Sequence, residues 1–67
     1  MTISDLKSKL VREPFRQFVI ELASGRQILI EADSELFFPK ARPELVIAFT
    51  ADGTMYEFEE NVLKSIE

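Results

Sequence analysis

The chain of 67 residues carries 8 basic and 12 acidic side chains, for a net charge of −4, and has no cysteine and no histidine. That length holds one domain, near the size at which a single core barely offsets the entropy of ordering the chain, so self-association is an expected further source of stability. The composition excludes a disulfide scaffold and a thiolate metal site, and it removes the commonest general base and zinc ligand; the negative charge disfavours a polyanionic nucleic-acid partner.

Thr2 stands as an N-cap, with Asp5 three residues later in the capping-box position. A short helix over about 3–11 follows: Ile3, Leu6 and Leu10 form one apolar stripe, Lys7 and Lys9 lie outside it, and Pro14 ends the segment. So brief a helix is marginal alone, and its stripe must dock on the rest of the chain. The segment MTISDLKSKL has an acid at Asp5 and no apolar stretch behind its bases, unlike a signal peptide.

FRQFVIELASGRQILIEA, residues 15 to 32, reads as a hairpin of strands over about 15–22 and 26–32. A three-residue loop, Ala23-Ser24-Gly25, opposes Ile20 to Ile28 and Phe18 to Ile30, with the large apolar residues on one side. A two-residue loop would set Phe18 against Glu31. The first register is preferred, and it places Gly25 where a type I turn with a bulge requires φ > 0. No GxGxxG or GKS pattern accompanies Gly25, so a phosphate loop is not indicated.

Residues 33 to 44, DSELFFPKARPE, have no sustained period and read as an irregular connection with one helical turn at Ser34 to Phe37. Strands over about 45–50 and 54–59 then surround Asp52-Gly53. A two-residue loop there sets Phe49 against Tyr56 and Ile47 against Phe58, leaving Glu57 and Glu59 outside. A three-residue loop would instead turn Leu45, Ile47 and Phe49 to the face that carries those two acids. NVLKSIE closes the chain as a short edge strand over about 62–66, with Val62 or Leu63 and then Ile66 inward and Lys64 suiting an edge.

The order of elements is helix, two strands, connection, three strands. It predicts a mostly β, α+β domain: a short N-terminal helix and a five-stranded, strongly bent antiparallel sheet or small barrel of SH3-like or Sm-like topology.

The run REPFRQFVIELASGRQI, residues 12 to 28, with the close VLKSIE, resembles a group of short uncharacterised bacterial proteins. Those begin with a brief helix, continue with a REPFRPF-like segment and a strand ending in LADGR, and finish on a sequence like VTSIE. The resemblance covers nearly the whole chain and implies a common fold without a function. A more distant likeness is to Sm-like RNA-binding proteins, through the helix-then-five-strands order and the glycine turn after the first strand. That likeness implies rings built by strand pairing between subunits, and RNA held by loop residues. The connection reads LFFPKARP where the Sm pattern carries Asp and Asn, and no second glycine signature precedes VLKSIE.

No constellation of catalytic side chains stands out, and no cofactor or metal site is expected. Glu57 and Glu59 share a strand face, and Glu31, Asp33 and Glu35 form a second acidic patch, but DSELFF lacks the glycine-sharpened loop and ligand number of a hard-cation site. The serines have no histidine to activate them. Residues 1 to 16 carry net +2 and residues 17 to 67 net −6. The expected function is therefore a non-catalytic structural or protein-interaction module, cytoplasmic because small secreted domains usually carry disulfides, and self-associating through edge strands. The alternative is weak binding of single-stranded nucleic acid through Lys7, Lys9, Arg12, Arg16, Phe37, Phe38, Lys40 and Arg42, since bases beside aromatics neutralise and stack such strands. Packing is the preferred role for the two phenylalanines; exposure of either Phe37 or Phe38 beside both Lys40 and Arg42 would favour binding.

Overall fold

The computed structural model describes all 67 residues as one helix, α1 (Ile3–Leu10), and six strands: β1 (Phe18–Leu22), β2 (Gln27–Ile30), β3 (Leu36–Phe37), β4 (Leu45–Phe49), β5 (Met55–Glu59) and β6 (Leu63–Ile66). Two antiparallel three-stranded sheets result, ordered β2-β1-β6 and β3-β4-β5. Twelve side chains from α1 and every strand meet in one core that holds no polar residue.

The helix begins as its capping box dictates. Asp5 N–H donates to Thr2 Oγ1 at 3.2 Å, and Thr2 N–H donates to the Asp5 carboxylate at 2.8 Å. Ile3 N–H, another of the free amides at the helix start, donates to Glu60 Oε2 at 2.6 Å, so an acid 57 residues away meets the positive end of the helix dipole. Ile3 and Leu6 enter the core, while Leu10 packs at its margin.

The first hairpin has the expected register, with Ile20 opposite Ile28 and Phe18 opposite Ile30. Leu22 N–H donates to Arg26 C=O at 2.9 Å, and Gly25 takes φ +91°. The strands are shorter than expected. Residues 15–17 follow the cis Glu13–Pro14 bond without joining the ladder, and Phe15 packs by its ring, 6.1 Å from that of Phe18.

The connection is not wholly irregular. A 3₁₀ turn at Asp33–Glu35 is followed by β3, whose Leu36 and Phe37 pair with Ala48 and Ile47, so there are six strands and not five. The Glu35 carboxylate accepts from Glu31 N–H at 2.8 Å, which ends β2 and starts the turn. A second 3₁₀ turn, Glu60–Val62, separates β5 from β6. Because both sheet-to-sheet crossings are made by turns rather than by continuous bent strands, there is no single sheet and the barrel does not close.

The second hairpin overturns the expected register. Phe49 lies opposite Met55, Ile47 opposite Glu57 and Val46 opposite Phe58, with a three-residue loop and Gly53 at φ +88° in its third position. Side-chain chemistry explains the choice. Thr50 Oγ1 donates to the Asp52 carboxylate, which also accepts from Thr54 N–H at 3.0 Å, so the threonines flanking the loop hold the Asp52 turn closed. Val46, Ala48 and Phe58 are therefore buried, and Leu45, Ile47 and Phe49 turn outward. The closing strand matches its expectation: Leu63 points inward, Ile66 packs against the core, and β6 is an edge of its sheet.

Candidate functional site

The register of β4 and β5 creates the most conspicuous surface of the molecule. On the outer face of the second sheet, Phe37, Phe49 and Met55 are 57%, 53% and 55% exposed. Leu45 and Ile47, half-buried, lie between them. Cross-strand pairing sets Phe37 beside Ile47 and Phe49 beside Met55, so the apolar residues are contiguous. Glu57 and Glu59 complete the face on β5, opposite Ile47 and Leu45. Exposed apolar residues scattered singly need no explanation, whereas adjacent ones on one sheet make this face the candidate site.

The residues expected to bind nucleic acid are separated by the fold. Lys7 projects from α1 with its ammonium 5.2 Å from the centroid of the Phe38 ring, and Phe38 packs against the core. Phe37 is exposed, as a stacking platform would be, but it stands on the outer face of the second sheet. Arg42 Nε donates to Glu44 Oε2 at 2.8 Å, and this bond, together with the nearby charges of Glu59 and Glu57, raises the guanidinium pKa further. Arg42 is thus engaged in acidic surroundings and is not a free partner for a phosphate. Lys9, Arg12, Arg16 and Lys40 make no ion pair. Arg12 and Arg16 lie in the segment between α1 and β1, and Lys40 in the turn after β3.

No group of three Asp and Glu side chains is placed to hold a metal ion. The other outer face, on the first sheet, is more polar. There Glu21 meets Lys64 at 3.6 Å and Ser65 Oγ at 3.5 Å. The apolar outer face of β3-β4-β5 was present in the sequence as the alternative register of the second hairpin. The signal that could have identified it is the pair Thr50 and Thr54 flanking Asp52-Gly53.

Three carboxylates are held below the usual range by hydrogen bonds. Asp5 accepts from the Thr2 backbone and hydroxyl, Asp52 from Thr50 and then Thr54, and Glu44 from Arg42. All three are depressed, so the folded chain binds fewer protons than the unfolded chain in acid. Their contribution is complete above the unfolded values of about 3.9–4.3 and is lost as pH falls through the lower folded ones. Thermal melts should change little between about pH 7 and 5 on account of these groups and decline below about pH 4. An Asp5→Asn, Asp52→Asn double variant should show a shallower decline.

No protein-family model matches the chain, and neither a curated protein nor a solved structure matches it. No helix is long and apolar enough to cross a membrane.

Proposed function

We propose that the protein is a non-catalytic interaction module that self-associates through the outer face of its second sheet. The observation that carries this reading is the adjacency of Phe37, Ile47, Phe49 and Met55 on a face whose reverse side is already the core. Covering those side chains removes apolar area from water at about 25 cal/mol per Å², and a domain this small gains more from such burial than a large one. The absence of cysteine suits a reducing, cytoplasmic setting.

The test is solution mass. Sedimentation across roughly a hundredfold dilution should show a species heavier than 7.7 kDa that dissociates by mass action. A Phe49→Ser, Met55→Lys double variant should stay at the monomer mass throughout. A wild-type chain of monomer mass at every concentration would remove the self-association.

One observation favours weak single-stranded nucleic-acid binding of Sm-like type as a second reading: Phe37 is exposed, and Lys7, Lys9, Arg12, Arg16 and Lys40 lack ion-pair partners. It ranks lower because Arg42 is engaged by Glu44 and the bases are spread over α1, the following segment and the turn after β3. Salt-sensitive retention of a labelled oligonucleotide, weakened by Phe37→Ala, would establish it over the first reading.

A further inference from the structure

The hydrogen-bonding rungs of the second hairpin leave one strand edge open. Thr50 N–H donates to Thr54 C=O at 2.9 Å, and Glu60 N–H donates to Glu44 C=O at 2.8 Å. These contacts mark the hydrogen-bonded rungs of the β4–β5 ladder. Antiparallel rungs alternate, so Ala48 with Tyr56 and Val46 with Phe58 are bonded pairs, whereas Met55, Glu57 and Glu59 sit at non-bonded positions. The N–H and C=O groups of those three residues therefore point away from β4. As β5 ends its sheet, no neighbouring strand takes them.

Beside this edge lies a groove of about 410 Å³, lined by Leu22, Leu45, Phe58 and Val62 together with Glu57 and Glu59. Arg42 also lines it, but its charge is engaged by Glu44; Glu57 and Glu59 have no ion-pair partner. A strand laid along β5 would satisfy the open backbone groups. Its side chains would alternate between the outer face, opposite two carboxylates spaced about 6.5–7 Å apart, and the inner side of the edge, beside Leu22, Phe58 and Val62 of the groove.

We propose that β5 takes an extended peptide by strand addition, and that the peptide recognised alternates basic and apolar residues: Lys or Arg opposite Glu57 and Glu59, with an apolar residue between them in the groove. This inference rests on the reading of the chain as an interaction module, but it uses the backbone edge of β5 and the groove beside it, and shares with self-association only the Glu57 and Glu59 margin of the outer face. Backbone pairing would hold the peptide, and the two opposed charge pairs would set its register.

The experiment is amide hydrogen exchange on the intact chain, with and without an acetylated Lys-Val-Lys-Val-Lys peptide and its Glu-Val-Glu-Val-Glu counterpart. The basic peptide should slow exchange at Met55, Glu57 and Glu59 by about tenfold or more at saturation, and the acidic one should not. A Glu57→Lys, Glu59→Lys double variant, altered only at exposed positions, should keep its melting temperature and lose the protection. Unchanged exchange at those three amides, or equal protection by both peptides, overturns the proposal. So does protection that appears without peptide and grows with protein concentration, since a second copy would then own the edge. A chain that stays monomeric yet gains protection from the basic peptide sustains this inference while removing self-association.

Discussion

Leu6→Ala is expected to cost about 2–5 kcal/mol, by the loss of buried methyl groups and the cavity left behind. Leu6 is 0% exposed, the more deeply buried of the two α1 residues that enter the core. Domains of this size have a total stability of roughly 3–10 kcal/mol at 0.05–0.15 kcal/mol per residue, so the change removes much or all of it. Urea titration followed by far-ultraviolet circular dichroism should show a midpoint shifted far toward zero denaturant. A shift worth less than about 1 kcal/mol would mean that the helix is an appendage.

The second large effect distinguishes the two sides of the second sheet. Phe58→Ala should destabilise by about 3–5 kcal/mol, as expected for a buried aromatic. Measured on the monomer, at concentrations below self-association, Phe49→Ala, three residues before the Asp52 turn on the facing strand, should change stability by no more than about 0.5 kcal/mol, because its ring is half exposed. With a two-residue loop, both rings would share one face and both truncations would be costly. Comparable losses for the two variants would therefore show that the hairpin uses the other register. The measurement also bears on function, since only the observed register puts Phe49 where a partner can cover it.

What could be read from the sequence depended on how many independent constraints acted on each segment. The first hairpin was legible because turn length and hydrophobic alternation agree: one register puts Phe18, Ile20, Ile28 and Ile30 together, and its competitor inserts Glu31 among them. The N-cap was legible for a similar reason, since Thr2, Asp5 and the stripe of Ile3, Leu6 and Leu10 select the same start. The second hairpin was different. LVIAF is apolar at every position, so alternation on that strand cannot choose a face, and the decision passes to hydrogen bonds among Thr50, Asp52 and Thr54. A side-chain effect of this kind is local and small, and an alternation rule does not contain it. β3 was missed because two residues carry no period. The candidate surface inherits this history: its residues were visible as large and apolar, but their outward direction followed from a turn.

The bases show the converse. Their number and sign were plain from the chain, including the net +2 of residues 1 to 16. Their usefulness as a group depended on where the fold set them. Arg42 found Glu44 two residues away, and Lys7 found the Phe38 ring across the core margin, so two of six were already occupied.

The pairing of β6 with β1 has a consequence for how the molecule is made. Val19 exchanges hydrogen bonds in both directions with Glu67, at 2.8 and 3.2 Å, and the carboxylate that meets the start of α1 belongs to Glu60. A ribosome delivers residues 3 and 19 early and residues 60 to 67 late. The nascent chain must therefore carry an unfinished first sheet, with β1 paired on one side only, until translation has passed position 67 and the tunnel has released it.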